Sequence, residues 1–214
     1  MLLPDNFESL NPVNGCPINC TYCYAKRMNE RFKWIDNWIE PQFFPKRLKR
    51  LEVKKPHIFF LDTTSDFATW KPEWIEAVLK VCNKYNYHQY MTITKAPELF
   101  TGTLPNNWWY GVTVTNKQDM KRINQMKNNV RGCHYHICFE PLMEDLGNLD
   151  LTNIEWIEIG AESGNRKDKI IPHKDWLMNI INQAKSQNIP ILMKDNIIPI
   201  IGIENYECLT PFKF

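Results

Sequence analysis

The feature that most constrains this chain is a repeated alternation of short apolar runs with longer amphipathic segments. The runs are rich in β-branched and aromatic residues, as strands are: His57–Leu61, Gln89–Thr94, Trp109–Thr115, Tyr135–Phe139, Ile154–Ile159 and Pro190–Met193. The segments between them have the apolar spacing of helices and include Lys71–Tyr85, Lys117–Asn128 and Lys174–Gln187. Alternating strands and helices form βαβ units. We therefore predict an α/β fold, a barrel or partial barrel of about six parallel strands.

The composition is that of an ordinary globular domain. Hydrophobic residues make up 43% and charged residues 23% of the 214 residues, which excludes a disordered chain. No apolar run approaches the roughly 18 residues that a membrane helix needs. The segment Met1–Leu10 carries Asp5 and Glu8 and lacks the pattern of a signal peptide. We therefore expect a cytoplasmic protein without a membrane partner, and the net charge of +2 neither requires nor excludes nucleic acid.

Polar or charged side chains follow each predicted strand. Since the carboxyl ends of parallel strands meet on one face of a barrel, where barrel enzymes place their chemistry, these groups should converge. Any single polar strand end is ordinary, but six that converge predict a functional site at the face of the barrel where the strands end, called the mouth below. The groups are Asp62–Asp66, Thr94–Lys95, Thr115–Asn116, Glu140, Glu162–Ser163 and Lys194–Asp195.

Three of the seven cysteines, Cys16, Cys20 and Cys23, crowd into one loop that is marked by Gly15 and Pro17. Closely spaced thiolates hold iron–sulfur clusters, commonly as a set of four. Three thiolates at this spacing wrap one corner of a cubane cluster and leave a fourth iron open to a small molecule. The loop therefore predicts a [4Fe-4S] cluster.

Three alternatives compete with the cluster. Zinc prefers tetrahedral sites that are commonly built from two ligand pairs, and no second pair stands near this loop. A buried structural cysteine is the usual interpretation of one cysteine, but not of three in a polar loop. A disulfide is disfavoured in a reducing compartment. The remaining cysteines, Cys82, Cys133, Cys138 and Cys208, are scattered.

The motif Cys-x3-Cys-x2-Cys, with Tyr22 before the third cysteine, resembles the signature of the radical S-adenosylmethionine superfamily. More narrowly, the chain is similar to a compact, often phage-encoded branch whose function is unassigned. The similar segments run in order over most of the chain: Asn11–Ala25, Phe60–Phe67, Thr92–Glu98, Leu104–Asn116, Cys138–Leu142, Ile154–Gly164 and Ile191–Asp195.

The resemblance implies a partial (β/α) barrel whose cluster loop, residues 15–24, follows the first strand. Cys16, Cys20 and Cys23 would bind three irons, and the fourth iron would take the amino and carboxylate groups of S-adenosylmethionine. Tyr22 would lie near the adenine. We expect this domain to span residues 1–195 and residues 196–214 to form a C-terminal extension that packs on the barrel.

The resemblance also implies further cofactor contacts at strand ends. The family places a Gly-Gly-Glu stretch after its second strand to bind the methionine ammonium. This chain has Thr63-Thr64-Ser65-Asp66 there, so Ser65 and Asp66 are the candidate acceptors. The ribose hydroxyls would meet Thr113, Thr115 and Asn116. The segment from Ile159 to Glu162 would border the adenine.

The implied activity is reductive cleavage of S-adenosylmethionine to methionine and a 5′-deoxyadenosyl radical, which abstracts a hydrogen atom from a substrate. An external one-electron reductant would supply the electron. The candidate catalytic residues for the substrate are Lys95, Glu140, Glu162 and Lys194, for which a salt bridge across the mouth is the structural alternative.

Two hypotheses for function remain. The first is a radical enzyme that modifies a nucleoside, nucleotide or nucleic acid in a phage or bacterial setting. The second is a non-catalytic iron–sulfur or zinc protein that binds nucleic acid or a protein partner. A basic stretch from Lys46 to Lys55, near Trp34, Trp38, Phe43 and Phe44, is either a solvated helix face or a nucleic-acid contact. The group His134, His136 and Cys138 would share one strand face and is either core or a metal site.

Overall fold

The computed structural model describes residues 4–212, and within them seven parallel strands form one curled, half-barrel sheet. The strands lie in sequence order, so each one pairs with its successor. They are β1 (Phe7–Ser9), β2 (Ile58–Phe60), β3 (Gln89–Thr94), β4 (Trp108–Thr113), β5 (His134–Phe139), β6 (Trp156–Ile159) and β7 (Ile191–Met193). The predicted fold class is confirmed, with one strand more than the six apolar runs.

Three helices that pack on the sheet match the predicted amphipathic segments, and two others were not predicted. Those in the described residues are α1 (Tyr24–Phe32), α2 (Pro72–Lys84), α3 (Lys121–Asn129), α4 (Lys174–Ser186) and the short α5 (Ile198–Ile201). The third begins later than predicted because Lys117–Met120 is a 3-10 turn that the Asn116 side chain caps. No helix among residues 4–212 has both the length and the apolar character to cross a membrane.

Smaller elements decorate the sheet. Val13–Asn14 pairs antiparallel with Gln42–Phe43 beside the cysteine loop, and Gly102–Thr103 pairs parallel with Val130–Arg131. The remaining 3-10 turns in the described part of the chain are Pro45–Glu52, Phe67–Thr69, Pro97–Leu99, Asp195–Ile197 and Ile203–Asn205.

Both faces of the sheet are buried, which explains why its strands are continuous apolar runs. In β4, Trp108, Tyr110 and Val112 pack into the main core, while Trp109 points into the half-barrel. Burying one such large side chain contributes about 1.5–3 kcal/mol. The interior forms an apolar cluster, called the floor cluster below: Met91, Trp109, Trp156 and Leu192, with Phe7, Phe60, Cys208 and Phe212 packed against it.

The C-terminal segment packs against β7 and the floor cluster. Cys208 bridges antiparallel to Leu192 of β7, and the Trp156 indole donates to the Leu209 carbonyl at 3.1 Å. The Phe212 ring meets Trp109 and Trp156 edge to face, with centroids 5.4 and 5.3 Å away. These contacts hold Cys208, Leu209 and Phe212 against β4, β6 and β7. Residues 1–3 and 213–214 of the predicted division lie outside the described residues.

Candidate functional site

A cavity of about 520 Å³ lies inside the half-barrel, a size that suits a small organic ligand. Side chains from most of the predicted strand ends line it, whereas Thr115 and Asn116 do not. It is lined by Cys16, Cys20 and Cys23 and by residues on or after each strand, among them Ser9, Asp62, Lys95, Thr113, Glu140, Glu162 and Lys194.

The cysteine loop is anchored on both sides. Gly15 has φ +98°, and a Cβ there would lie 2.9 Å from the Trp38 carbonyl oxygen, so this position requires glycine. The Gly15 N–H donates to the Thr64 carbonyl at 3.0 Å, and the Cys16 N–H donates to the Trp38 carbonyl at 2.8 Å. The loop therefore enters the cavity in a fixed position.

The three thiols have different surroundings. Cys23 caps α1, because its Sγ accepts a hydrogen bond from the Lys26 N–H at 3.3 Å. A helix N-terminus stabilises a thiolate. Burial, followed by the nearby Asp66 carboxyl, raises the pKa of the Cys16 thiol to about 12. Cys16 therefore ionises only against a strong local positive charge, such as a bound iron supplies.

The described part of the chain does not bring metal ligands together around one point. Across residues 4–212, no three His, Cys, Asp or Glu side chains converge where a single metal ion fits. The alternative site of His134, His136 and Cys138 is likewise not formed, since His134 pairs with Glu155 at 2.7 Å near the surface.

Lys95 brings Tyr22 and Thr113 together inside the cavity. Its ammonium lies 5.9 Å from the centroid of the Tyr22 ring and 3.3 Å from Thr113 Oγ1. Burial lowers the pKa of Lys95, but attraction to Tyr22, Cys20 and Asp66 outweighs it and leaves that pKa raised. Lys95 thus places its ammonium beside two predicted site residues, Tyr22 and Thr113.

Asp66 and Ser65 line the cavity but also hold the loop after β2 in place. The Asp66 carboxylate accepts hydrogen bonds from Thr94 Oγ1 at 2.5 Å and from the Lys95 N–H at 2.8 Å. Ser65 Oγ accepts from the Trp70 indole at 3.0 Å. Much of the acceptor capacity predicted for a cofactor ammonium is therefore already used within the protein.

Asp62, two residues after the end of β2, is a second buried carboxyl in the same wall. It accepts from the Ile93 N–H at 3.0 Å and the Phe67 N–H at 3.1 Å. Burial, and then Asp66, raises its pKa well above the usual value. Two neighbouring acids therefore share this end of the cavity.

Thr115, Asn116 and Ile159 do not line the cavity. Thr115 Oγ1 donates to Asp119 at 2.8 Å, and Asn116 accepts from the Gln118 N–H as the cap of the following turn. Ile159 belongs to the core that packs against the helices. Local capping thus turns the first two side chains away, since Asn and Asp readily bond nearby backbone groups.

Glu162 lines the cavity and is held by Arg166. Its two carboxylate oxygens accept from the guanidinium at 2.7 and 2.8 Å, and these hydrogen bonds lower the pKa of Glu162. Glu162 was a predicted catalytic residue with an ion pair at the mouth as its structural alternative. It does form such an ion pair, with Arg166.

A compact charged group occupies the ends of β5, β6 and β7. Lys194 Nζ lies 3.3 Å from Glu158 and 3.7 Å from Glu140. Gly160 makes room for this approach, because a Cβ there would lie 2.8 Å from Lys194 Cγ. Sequence reasoning missed Glu158, although an acid inside an apolar strand is a signal of a buried partner. Cys138, interpreted as a buried core residue, is buried and lines the same wall.

The basic stretch is largely a folded surface element. Within it, Arg47 donates to Asn14 Oδ1 at 2.9 Å, and Arg50 pairs with Glu8 at 2.7 Å. Trp38 is buried and Phe43 stacks on Trp74. The basic side chains that remain exposed without such partners are Lys46, Lys49, Lys54 and Lys55.

Comparison with known proteins gives one family and one fold relative. The model of a family described as "Protein of unknown function (DUF5131)" matches residues 6–196. A spore photoproduct lyase variant, solved with a dinucleoside spore photoproduct, matches with a TM-score of 0.51 at 10% identity. That lyase is a radical S-adenosylmethionine enzyme. The match covers 83% of this chain and 60% of the lyase. Because the identity is only 10%, the match shows the fold alone. No curated protein matches the chain.

Proposed function

The chain belongs to the family described as protein of unknown function (DUF5131), and we propose that this member is a radical S-adenosylmethionine enzyme. One observation carries the proposal. The three cysteines of the Cys-x3-Cys-x2-Cys loop line a ligand-sized cavity inside a half-barrel whose fold relative belongs to that enzyme class.

Cys16, Cys20 and Cys23 would hold a [4Fe-4S] cluster at the carboxyl-terminal mouth of the barrel. When bound, such a cluster supplies the low-potential electron that cleaves S-adenosylmethionine and so starts hydrogen abstraction from a substrate. The Lys26 N–H, which donates to Cys23 Sγ, would stabilise the thiolate there. The anchored Gly15–Cys16 backbone would fix the orientation of the set.

The cavity offers complementary groups for a zwitterionic cofactor. Ser65, Asp66 and the neighbouring Asp62 are the acceptors for an ammonium, and Lys95 is the donor for a carboxylate. Thr113 is the hydroxyl that remains in the cavity for the ribose, and Tyr22 is the aromatic wall near the adenine. We propose that Thr115, Asn116 and Ile159 support this wall from behind rather than touch the cofactor.

The substrate would enter from the mouth and meet Glu140, Lys194 and Glu162. Glu140 has Lys194 as its ion-pair partner, at 3.7 Å, and lines the cavity. It therefore retains acceptor capacity, whereas Glu162 is occupied by Arg166. We propose Glu140, Lys194 and Lys95 as the groups that handle the substrate, with Glu162 as a positioning residue.

We propose a nucleoside, nucleotide or nucleic acid as the substrate class. The fold relative was solved with a dinucleoside. Aromatic side chains of the floor cluster, including Phe60 and Trp156, line the cavity and provide stacking surfaces for a planar base.

Anaerobic reconstitution with iron and sulfide tests the cofactor. We expect about four irons per chain and slow formation of 5′-deoxyadenosine from S-adenosylmethionine on reduction. Cys16→Ala, Cys20→Ala and Cys23→Ala should each lose the cluster. Cys133→Ala, a partly buried cysteine outside the cavity, is the matched control and should retain it. One zinc per chain in place of iron would refute the proposal and favour the non-catalytic metal protein.

A salt titration separates polymeric nucleic acid from smaller substrates. If DNA or RNA binds the basic stretch, affinity should fall with salt by a slope of about 0.7–0.9 per neutralised phosphate. A variant in which glutamine replaces four exposed lysines should flatten that slope. It keeps the structural arginines and changes Lys46, Lys49, Lys54 and Lys55. The control variant replaces four exposed lysines elsewhere, Lys71, Lys80, Lys84 and Lys121. Equal slopes in the two variants would exclude the basic stretch as a nucleic-acid contact.

A further inference from the structure

Three cationic side chains meet at the rim of the cavity, around one carboxylate and one glycine. Arg166 pairs with Glu162 at 2.7 Å, and Lys169 Nζ donates to the Gly164 carbonyl oxygen at 3.2 Å. Arg27, on α1, lies against the same glycine, because a Cβ at Gly164 would be 3.1 Å from Arg27 Nη2. We call Arg27, Arg166 and Lys169 the rim site.

Two of these cations have no acid of their own. In the part of the chain that the structure describes, neither Arg27 nor Lys169 lies within ion-pair distance of a carboxylate. Hydrogen bonds from Arg166 lower the pKa of Glu162 most, and attraction to Arg27 and Lys169 lowers that pKa further. Both side chains are exposed. Their charges are therefore free to attract an anion from solution.

The charge around Gly164 is in excess by two. The charged side chains on or beside this loop are four cations and two acids: Arg27, Arg166, Lys167, Lys169, Glu162 and Asp168. Four minus two gives +2. Further along α1, Glu30 and Arg31 cancel each other.

The size of this excess favours one kind of anion. A terminal phosphate carries a charge of about −1.5 to −2 at pH 7, whereas an internal phosphodiester carries about −1. A carboxylate also carries a single charge. Arginine guanidinium groups match the planar, two-point contacts that phosphate oxygens offer. The rim site is therefore best balanced by a terminal phosphate.

We infer that Arg27, Arg166 and Lys169 bind the terminal phosphate of a nucleotide, or of the end of a nucleic-acid strand, whose nucleoside lies in the cavity. The inference rests on the proposed function and deepens it, because it locates the phosphate of the substrate.

The rim site is continuous with the cavity. Glu162 and Ser163, which directly precede Gly164, line the cavity. Arg27 is one helical turn from Cys23 and Tyr24, which also line it. The cavity holds the aromatic side chains Phe60 and Trp156 inside, so a stacking surface and a cationic edge belong to one site, as a nucleotide requires.

Arg166 keeps donors for an anion although it is paired. Glu162 accepts from its Nε at 2.7 Å and its Nη2 at 2.8 Å. These contacts use two of the five N–H groups of the guanidinium and leave three. Glu162 is buried, so it holds the guanidinium at the cavity edge. Glu162 is thus a positioning residue for the rim site.

Isothermal titration calorimetry of the full chain without cofactor tests the rim site. The probes are the four deoxynucleoside 5′-monophosphates and the matching nucleosides, which differ only in the phosphate. At least one monophosphate should bind roughly tenfold or more tightly than its nucleoside, because charge-assisted hydrogen bonds are strong. Glutamine at both Arg27 and Lys169 should remove this preference and leave nucleoside affinity unchanged. The two single variants serve if the double variant fails to fold by circular dichroism.

A matched double variant separates the site from a general effect of charge. Arg31→Gln with Lys174→Gln removes two exposed cations outside the rim site and lowers the net charge equally. It should keep the preference for the monophosphate. An equal loss in the two double variants would overturn the rim site, as would a wild type that binds no monophosphate more tightly than its nucleoside.

A pair of single-stranded oligonucleotides, with and without a 5′-phosphate, separates the two sources of the phosphate. Tighter binding of the phosphorylated strand, lost with Arg27 and Lys169, identifies a strand end, and binding of mononucleotides alone identifies a free nucleotide. Equal binding of both strands that depends on the same two cations would overturn the terminal phosphate. Because no measurement here needs a cluster, failed cluster assembly would reject the proposed function and leave the rim site standing.

Discussion

Replacing Gly111 by alanine should destabilise the protein through one identifiable clash. The added Cβ would lie 2.3 Å from two atoms of the His136 ring, closer than any real contact. The ring is fully buried and cannot move without losing its bond to Thr92. Overpacking of this kind costs about 1–3 kcal/mol, and the buried hydrogen bond adds about 1 kcal/mol. In the opposite direction, replacing a strand glycine by alanine stabilises the folded state by about 0.5–1 kcal/mol.

The net loss in the free energy of unfolding should therefore be about 1–3.5 kcal/mol, when the overpacking, the lost hydrogen bond and the gain from replacing glycine are combined. Urea unfolding with linear extrapolation measures it, and the slope should not change. For a chain of this length the melting temperature should fall by roughly 2–14 °C.

A double-mutant cycle isolates the cause. In a His136→Ala background the ring is absent, so Gly111→Ala should be neutral or stabilise the protein by up to about 1 kcal/mol. The coupling energy should then be about 2–4 kcal/mol, the sum of the overpacking and hydrogen-bond costs. An equal loss in both backgrounds would refute the clash, as would wild-type stability of the single variant.

Three further predictions concern the site. Gly15→Ala should lower both iron per reconstituted chain and unfolding free energy, by at least about 1–2 kcal/mol for the positive φ; unchanged iron content would contradict its role in the loop. Arg166 lowers the pKa of Glu162, so its stabilisation is complete above the unfolded pKa of about 4.3 and is lost as pH falls through the lower folded value. Arg166→Gln should therefore reduce the melting temperature at pH 7 but barely at pH 3, and an equal reduction at both would argue against the pair. Asp66→Ala should weaken S-adenosylmethionine binding by calorimetry and also destabilise the chain by about 1–3 kcal/mol, because Thr94 loses its acceptor; unchanged affinity would reject Asp66 as a cofactor ligand.

The sheet was predictable from sequence because both of its faces are buried. Six of its strands are therefore apolar runs that stand out locally, such as Gln89–Thr94. The strand β1 was missed, since Phe7–Ser9 has three residues and only one large apolar side chain. Its extended pairing depends on Ile58–Phe60, which is distant in sequence, and no local pattern reports such a contact.

The site was predictable where spacing or strand position alone defines it. The cysteine loop and the strand-end residues Lys95, Glu140 and Lys194 all face the cavity. The hydrogen-bond and ion-pair partners of these residues were not predictable, because they are side chains from several different elements.

Asn116 was predicted to contact the cofactor, but its side chain instead caps the turn that follows it. That residue and Asp119 form a turn-capping pattern after β4, which was a readable signal. His136 and Glu158 are diagonal neighbours on adjacent strands, and their closeness depends on how those strands pair in the sheet.

Electron paramagnetic resonance of the dithionite-reduced, reconstituted protein tests the central claim most directly. The account predicts the signal of a reduced cubane cluster that changes on addition of S-adenosylmethionine, because three cysteines leave one iron open to the cofactor. Cys23→Ala should abolish the signal, and Cys133→Ala should preserve both the signal and its change. A cluster signal that S-adenosylmethionine leaves unaltered, or a protein that binds zinc and gives no signal, would contradict the account.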